Sequence, residues 1–291
     1  MSTEQTDAIV LRMVPFSETS LIVTLYTRDL GRISAIAKGA RRPKSPFEGS
    51  LDILSVCRIV VICKSSDALE LLTEAKLQRR FRAAQKSLVR LYCGYYVAEM
   101  LRLWTDDGVT SDELYDLTLR TIQAIDGDGD ALMAVLRFEL SAMRILGNVP
   151  ATQACVCCGH DIDPHGARVP FAYELGGVLC PECRSRQRGV VSIKREVIAE
   201  IKRLQQPDRG LDGDCEIGLG EGTGKKITAP AGTGDSLDTR FTARETVETY
   251  SDSAEYPNYR ELRATLSRYI TTTLGSVPRT QSLLPAGWVS H

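Results

Sequence analysis

Two kinds of hydrophobic spacing divide this chain. Over the first eighty residues, apolar and polar positions alternate and β-branched residues are frequent, a pattern typical of half-buried β-strands. Turn-forming segments rich in Pro, Gly, Asp and Ser separate the alternating runs. The pattern predicts five strands, at residues 8–14, 20–27, 32–40, 56–63 and 69–77. Five short strands suit a small barrel, either an OB-fold or an SH3-like barrel, because alternation does not fix the strand order.

From Phe81 onward the apolar positions follow helical spacing, which predicts a long amphipathic helix ending near Trp104. Thr110 and Glu113 form a capping-box pattern that predicts a second helix at 111–125. Asp130 is placed to cap a third helix. The remaining spacing predicts helices at 131–146, 193–204 and 259–274. The fold class expected from these patterns is therefore α+β, a small barrel followed by a helical region.

The strongest local signal is a double cysteine pair between helical segments. Cys155-Val-Cys157-Cys158-Gly159 is followed, after an interval that leaves room for a hairpin, by Cys180-Pro-Glu-Cys183. Two Cys-x-x-Cys pairs can each supply one edge of a tetrahedron of thiolates around a structural Zn²⁺. The predicted ligands are Cys155, Cys158, Cys180 and Cys183.

Some alternatives to this ligand set stay open in the sequence. Cys157 could replace Cys155 or Cys158, His160 and His165 are less favoured ligands, and the thiols could also be metal-free. A closed shell of four thiolates leaves no coordination position for water, so the pattern predicts one structural zinc ion per chain and no catalysis at it.

The net charge of −1 conceals an uneven distribution. Residues 32–44 contain five bases and no acid: Arg32, Lys38, Arg41, Arg42 and Lys44. A basic loop with Gly and Pro at the rim of a barrel suits a phosphate backbone; the alternative is a solvated loop that aids solubility. Aromatic residues for base stacking are sparse nearby, with Phe16, Tyr26 and Phe47 as the candidates. Binding is therefore expected to depend on charge and to weaken with salt.

A second basic patch follows the cysteines. Residues 184–203 contain seven bases and two acids, and the candidate contacts are Arg184, Arg186, Arg188, Lys194 and Arg195. A solvated helix face is an equally good interpretation of these charges. Residues 205–258 have the opposite balance, with eleven acids and five bases. Within them, residues 208–240 are rich in Gly, Asp and Thr, which predicts a disordered insertion.

Several function classes are disfavoured. Three histidines offer little for general acid–base chemistry, and neither a phosphate-cradling Gly-x-x-x-x-Gly-Lys sequence nor a His-x-Glu partner for the cysteines is present. We therefore expect a protein that is not an enzyme. No apolar run approaches the roughly 20 residues of a membrane span, and the polar, acidic N-terminus lacks a signal pattern. These features predict a cytoplasmic location.

Three parts of the chain together carry a resemblance to a known family. The first part is Ala8-Ile-Val-Leu-Arg12 with Pro15-Phe-Ser-Glu-Thr-Ser-Leu-Ile-Val23 and Gly31-Arg-Ile-Ser-Ala-Ile-Ala-Lys-Gly-Ala-Arg-Arg42. The second is the double cysteine pair with Gly176-Gly-Val-Leu before Cys180, and the third is Leu266-Ser-Arg-Tyr-Ile-Thr-Thr-Thr-Leu-Gly275. These segments resemble the RecO family of recombination mediators. The resemblance covers residues 5–204 and 258–285, so the insertion between them departs from the compact family pattern.

This resemblance implies a multidomain α+β fold in which an N-terminal five-stranded OB-fold barrel precedes a helical domain with an inserted four-cysteine zinc finger. The implied domains are 1–80 (OB-fold), 81–150 (helical, first part), 151–189 (zinc finger) and 190–285 (helical, second part). Zinc would lie at the four cysteines named above, and DNA contacts would fall to Lys38, Arg41 and Arg42, with Arg32 and Lys44 added here on charge alone.

The resemblance also implies partners. Members of this family bind single- and double-stranded DNA, anneal complementary strands, engage the C-terminal tail of single-strand-binding protein and join RecR to load the RecA recombinase. The expectation is thus a DNA repair protein associated with the nucleoid and not with a membrane. The alternative, favoured by the near-neutral charge and the scarce aromatics, is a partner-binding scaffold that touches DNA little.

Overall fold

The computed structural model describes residues 2–47, 49–63, 69–162, 165–206 and 258–284, so the predicted insertion at 208–240 lies outside the described residues. Within these ranges the strands are β1 (Ser2–Pro15), β2 (Leu21–Thr27), β3 (Gly31–Ala37), β4 (Val56–Cys63), β5 (Glu70–Arg79), β6 (Arg168–Ala172), β7 (Gly177–Val178) and β8 (Val190–Lys194). The α-helices are α1 (Leu88–Trp104), α2 (Asp112–Asp126), α3 (Ala131–Ile145), α4 (Pro181–Arg184), α5 (Arg195–Leu204) and α6 (Tyr259–Leu274). Short 3₁₀ helices span Ala83–Gln85 and Arg279–Leu283.

Strands β1 to β5 close into a barrel in the order β1-β2-β3-β5-β4. Strands β3 and β5 pair in parallel and the other neighbours are antiparallel. This is the OB-fold order, so the α+β fold class and the OB-fold barrel are confirmed. Strand β1 begins six residues earlier than predicted because its polar start pairs with β4, from Ser2 opposite Cys63. An irregularity between Val10 and Arg12 is a bulge of the kind that lets one strand serve both sides of a barrel.

The interior of the barrel is a hydrophobic core of its own. Alternate residues of the strands point inward, and the cluster contains twelve buried residues, among them Val23, Ile59 and Leu72. The outer surface of the barrel instead joins the core of the helical region through Ile9, Leu11 and other residues. The barrel thus encloses an apolar core of its own, and part of its outer surface packs against the helical region.

The helical region is built around α1, α3, α5 and α6 with α2 alongside. Asp130 caps α3 as predicted, since its carboxylate accepts hydrogen bonds from the backbone N–H groups of Leu132 and Met133. The cap of α2 was predicted one residue too early: Ser111, not Thr110, accepts a hydrogen bond from the N–H of Leu114.

A buried ion pair crosses the middle of the helical region. Both guanidinium Nη atoms of Arg263 on α6 lie 2.7 Å from the two carboxylate oxygens of Glu139 on α3. Tyr96 on α1 donates a further hydrogen bond to Glu139, and the Arg263 Nε donates one to the Ser267 hydroxyl. All four side chains are buried. The pair is fully hydrogen-bonded, which is the condition under which buried charges are tolerated.

The cysteine segment and the strand that follows it form what we call the cysteine module, residues 151–194, which contains a three-stranded sheet in the order β7-β6-β8. Here the sequence prediction of a helix at 193–204 was wrong at its start, because Ile193 pairs with Val169 in this sheet and the helix begins at Arg195. Gly177 lies where a Cβ atom would come within 2.6 Å of the Ala151 carbonyl oxygen. Only glycine fits this close approach of two backbone segments.

A junction of polar contacts and one close backbone approach also fastens the barrel to the helical region. Arg28 forms an ion pair with Asp116 at 2.5 Å and its guanidinium lies over the Tyr115 ring. Gly31, with φ of 66°, approaches Val109 so closely that a Cβ atom would lie 2.3 Å from the carbonyl oxygen. These contacts fix the orientation of β3, and therefore of the loop that follows it. Among the described residues, none of the helices combines the length and hydropathy needed to cross a bilayer.

Candidate metal centre and nucleic-acid interface

The four predicted cysteines come together in space. The Sγ atoms of Cys155, Cys158, Cys180 and Cys183 all lie within 4.8 Å of one another, and Cys158 Sγ lies 3.7 Å from Cys180 Sγ. A tetrahedral zinc site with Zn–S bonds of about 2.3 Å has sulfur–sulfur edges of about 3.8 Å. The arrangement therefore matches the size of a four-thiolate site, and these residues could hold a metal ion.

Local backbone structure positions each pair of thiols. The Cys155 N–H donates to the His160 carbonyl and the Gly159 N–H donates to the Cys155 carbonyl, which closes a tight knuckle. Cys180 begins α4, where its Sγ accepts from the N–H of Cys183 at 3.4 Å. Pro181 suits the first turn of that helix because this position needs no N–H donor.

The ionisation of the thiols shows why a cation fits. Desolvation opposes ionisation of Cys155, but backbone hydrogen bonds from Cys180, Cys157 and Cys158 outweigh it and lower its pKa to about 6. Hydrogen bonds with Cys180 and Cys158 raise the pKa of Cys183. The two thiols thus differ in how readily they ionise. A divalent cation at the centre would stabilise all four thiolates at once.

The alternative ligands do not join this cluster. Cys157 is exposed and its Sγ lies 3.9 Å from the Gln187 amide nitrogen. His160 and His165 are exposed as well, and the only group of potential ligands found in the described part of the chain consists of the four cysteines. The x-x spacing within each pair accounts for this selection.

The basic loop after β3, residues 38–47, lies at the rim of the barrel, and we call it the rim loop. Two successive turns shape it, with N–H donation from Arg42 to Gly39 and from Ser45 to Arg42. The Arg41 N–H donates to the Thr19 carbonyl, which holds the rim loop against the β1–β2 loop. Its four cations are exposed, and none of them forms an ion pair with a described residue: Lys38, Arg41, Arg42 and Lys44.

Arg32 lies apart from these four residues. Its Nε donates to Asp107 at 2.6 Å and its Nη1 donates to the carbonyl of Arg102. The side chain is only 20% exposed. The structure therefore places Arg32 in the junction between the barrel and the helical region, with its charge already paired.

The three aromatic candidates differ sharply in exposure. Tyr26 is fully buried against Tyr115 and Phe47 is 4% exposed within the barrel core. Phe16, in the loop that contacts the rim loop, is 58% exposed. Phe16 is thus the one of the three that can offer a ring face to a base.

Within the second basic patch, two side chains have a charged or hydrogen-bonding partner among the described residues and three have none. Lys194 pairs with Glu261 at 3.6 Å, and Arg195 donates to the carbonyl of Gly166. Arg184 at the end of α4, and Arg186 and Arg188 after it, remain exposed. Of the five candidate residues of this patch, these last three have no ion-pair partner among the described residues.

Sequence reasoning missed another group of cations near Arg32. Arg12 on β1 and Arg279 in the last 3₁₀ helix lie close enough to Arg102, at the end of α1, for their charges to lower its pKa. They are some 90 and 177 positions apart in the sequence, so no local charge count could have joined them.

Comparisons with known proteins agree with the fold. The family model for "Recombination protein O N terminal" matches residues 1–81, and the model for "Recombination protein O C terminal" matches residues 85–212. A "DNA repair protein RecO" from Rhodopirellula baltica is 44% identical over 282 residues, which is 96% of this chain and 97% of that protein. Proteins of the same description from Anaeromyxobacter dehalogenans and Symbiobacterium thermophilum are 32% and 31% identical, over 77% and 74% of this chain and 84% and 82% of theirs.

Proposed function

The chain belongs to the RecO family of DNA repair proteins, and from this premise we propose that it is a non-catalytic recombination mediator. It binds single- and double-stranded DNA at the barrel rim and anneals complementary strands. It then helps to load the RecA recombinase on DNA that is coated by single-strand-binding protein. The observation that carries this proposal is the rim loop, whose four exposed cations have no described ion-pair partner.

The chemistry of the rim supports binding to a phosphate backbone. Lys38, Arg41, Arg42 and Lys44 project from a loop whose backbone is fixed by turns and by the contact with Thr19. Cations on a loop with an ordered backbone lose less conformational freedom on binding than cations on a mobile basic tail would. Each phosphate contact adds to the salt dependence of binding, by about 0.7 in the logarithmic slope for a single strand.

Phe16 supplies the second component of the proposed interface. Stacking of a base on an exposed aromatic ring contributes about 1–3 kcal/mol and is tolerant of sequence. Duplex DNA keeps its bases stacked on one another, so this contribution favours single strands. We assign Arg32 to the junction and not to DNA, because its guanidinium is occupied by Asp107 and the Arg102 carbonyl.

The metal centre has a structural part in this proposal. Cys155, Cys158, Cys180 and Cys183 hold one Zn²⁺ per chain, since the sulfur–sulfur distances suit four thiolates and leave no room for a reacting water. The exposed Arg184, Arg186 and Arg188 beside it form a second DNA contact, whereas Lys194 and Arg195 contact Glu261 and the Gly166 carbonyl at the surface. The partners follow from family membership: RecR, the C-terminal tail of single-strand-binding protein and, indirectly, RecA, in the cytoplasm at the nucleoid.

The test is a titration of fluorescent single-stranded DNA followed by anisotropy across a salt series, with a complementary strand added afterwards. We expect micromolar or tighter binding that weakens with salt, and annealing faster than the spontaneous rate. The variant Arg41→Glu/Arg42→Glu should bind at least tenfold more weakly at moderate salt. The matched control is Lys76→Glu/Arg82→Glu, which makes the same charge change at exposed positions away from the rim loop.

Two results would contradict the proposal. If Arg41→Glu/Arg42→Glu binds DNA like the parent, the rim loop is not the interface. If the folded, metal-loaded parent does not bind DNA even at low salt, the protein is instead a scaffold that acts through protein partners.

A further inference from the structure

The four cysteines of the metal centre differ in their access to solvent. Cys158 is exposed and Cys183 is half-buried, whereas Cys155 and Cys180 are buried. The Sγ atom of the exposed Cys158 lies 3.7 Å from that of the buried Cys180. An oxidant in solution can therefore reach one thiol of this pair, while the second thiol lies beside it inside the protein. An accessible cysteine next to a second cysteine is the usual arrangement of a redox-sensitive site.

Other thiols of the described strands and helices are shielded from such an oxidant. Cys57 and Cys93 are fully buried, and burial raises the pKa of the Cys57 thiol to about 11 and that of the Cys93 thiol to about 12. Burial is also the main reason why the pKa of Cys63 lies above its usual value. The protonated thiol is a poor nucleophile, whereas a thiol that binds Zn²⁺ is held as the thiolate. Oxidation is therefore expected at the metal centre before these three sites.

The metal centre also holds the exposed cations that follow it. The N–H of Arg184 donates to the Cys180 carbonyl, and the N–H of Arg186 donates to the Cys183 carbonyl. The N–H of Gln187 donates in turn to the Arg184 carbonyl. The backbone that carries these charges is thus hydrogen-bonded directly to two of the four predicted metal ligands, so its position depends on theirs.

Local packing offers this turn little other support. Helix α4 has four residues, and none of them is fully buried. A helix of one turn is not stable by itself. Two of the four fully buried residues in the separate core cluster of the module are Cys155 and Cys180. Loss of the metal ion would therefore release the turn that carries Arg184, Arg186 and Arg188.

We infer that the metal centre is a redox switch, in which hydrogen peroxide joins Cys158 to Cys180 in a disulfide and thereby releases the metal ion and the turn beside it. The inference rests on the metal centre and the second DNA contact of the proposed function, and it adds regulation to them. With the metal bound, the module presents its three arginines to DNA. After oxidation, the rim loop is the contact that remains.

The reaction consumes one peroxide for each disulfide. The Cys158 thiolate attacks one oxygen of the peroxide, the O–O bond breaks, and the leaving hydroxide takes up a proton to become water. Cys158 is then a sulfenic acid. The Cys180 thiolate attacks the sulfur of this acid, so that an S–S bond forms as the S–O bond breaks, and the second hydroxide also becomes water. The two sulfurs lose two electrons, which the peroxide gains.

The metal ion keeps its charge in this reaction and leaves for lack of ligands. Cys155 and Cys183 alone supply two thiolates, and a structural zinc site needs four ligands. A dithiol reductant reverses the step, because it reduces the disulfide to two thiols while its own two thiols form a disulfide.

The test follows the metal ion and the disulfide in the same sample. The full chain, loaded with Zn²⁺ and free of reductant, is treated with hydrogen peroxide in the presence of a chromophore that binds released Zn²⁺. The remaining thiols are then alkylated. Trypsin cleaves after Arg144, Arg168 and Arg184, so the two Cys-x-x-Cys pairs lie on different peptides. A disulfide between Cys158 and Cys180 joins these peptides, and fragmentation of the joined product in the mass spectrometer identifies the linked cysteines.

We expect one Zn²⁺ to be released for each joined pair of peptides. The logarithmic salt slope of single-stranded DNA binding should become smaller by about 2, since three contacts of about 0.7 each are lost. Dithiothreitol with added Zn²⁺ should restore the slope. Cys157→Ser, which removes the exposed thiol outside the cluster, should release Zn²⁺ like the parent. Chelation without peroxide, as a second control, should release Zn²⁺ and leave the peptides separate.

Four other outcomes are distinguishable. If peroxide leaves the Zn²⁺ bound, or if Zn²⁺ leaves while the two peptides stay separate, the switch as assigned to Cys158 and Cys180 is wrong. If Cys157→Ser abolishes the release, Cys157 is the thiol that meets the oxidant, and the assignment is again wrong. If Zn²⁺ leaves with the joined peptide but DNA binding is unchanged, the switch stands and the second DNA contact is wrong. If the purified chain holds no Zn²⁺, the metal centre of the proposed function fails together with the inference.

Discussion

The rim loop and the cysteine module both present exposed cations, but they are held in shape by different means. The rim loop stands on a closed barrel with twelve buried residues in its own core. The separate core cluster of the cysteine module has only four fully buried residues, Cys155, Ala172, Leu179 and Cys180, and two of these four are predicted metal ligands. The comparison teaches that the barrel is stabilised by apolar burial, whereas the part of the module around the four cysteines depends on the metal ion that their thiols bind.

The largest expected effect concerns the cysteine module, whose own core is the smaller of the two. Removing the metal, by chelation or by Cys180→Ser, should unfold the part of the module around the four cysteines and leave the barrel folded. Structural zinc contributes about 10–16 kcal/mol in isolated zinc fingers, which is more than a core of four residues can replace. Trypsin cleavage at Arg184, Arg186 or Arg188 reports the loss, and metal analysis gives the stoichiometry.

Cys157→Ser is the matched control, since the Cys157 thiol lies outside the cluster. It should retain one ion per chain and resist trypsin like the parent. Unchanged protection of the module after complete metal removal would show that apolar packing is sufficient there, and would contradict the comparison.

The second-largest expected effect tests the apolar core of the barrel. Ile59→Ala creates a cavity in the barrel core, where Ile59 is fully buried. A deletion of this size costs about 2–5 kcal/mol of unfolding free energy, measurable as a shift of the denaturation midpoint. Metal content should not change, because Ile59 belongs to a different core from the cysteines. A loss of metal from this variant would mean that the two regions are coupled.

A third prediction separates the contribution of base stacking from that of charge at the rim loop. Phe16→Ala should weaken binding of single-stranded DNA by about 1–3 kcal/mol, or roughly 5- to 150-fold. It should leave the salt slope unchanged because no charge is lost. Phe16→Tyr, which keeps the ring, is the control. An equal loss for duplex DNA, seen in the same anisotropy assay, would argue against stacking.

The smallest effect concerns the junction. Asp107→Ala removes the partner of Arg32, and since the Asp107 side chain is 71% exposed, the pair contributes at most about 1 kcal/mol. The freed guanidinium should make DNA binding slightly tighter at low salt. A decrease in affinity of more than fivefold would show instead that the ion pair positions the rim.

Much of the fold could be predicted because it depends on local patterns. Alternation located all five barrel strands, and the helix predicted at 259–274 agrees with α6 at both ends. The Cys-x-x-Cys spacing selected the four cysteines that meet, since a knuckle and a helix start each bring two thiols together. The strand order came only from the family resemblance, because alternation carries no information on pairing.

What could not be predicted depends on contacts between distant residues. Arg32 looked like part of the rim loop by charge, but Asp107, 75 positions away, occupies it. Ile193 has helical spacing with the residues after it, yet pairing with Val169 keeps it in a strand. Tyr26 and Phe47 were candidates by position, and packing has buried both. The proposed domain boundaries at 80, 150 and 189 remain predictions.

The buried pair between Glu139 and Arg263 has a consequence for synthesis on the ribosome. The two residues are 124 positions apart, a stretch that takes roughly 6–25 seconds to translate. Until Arg263 emerges, a closed helical core would hold an uncompensated carboxylate at Glu139, which is strongly unfavourable. The barrel, complete by residue 79, is under no such constraint. We therefore expect the nascent chain to carry a finished barrel while its helical region stays open until α6 arrives.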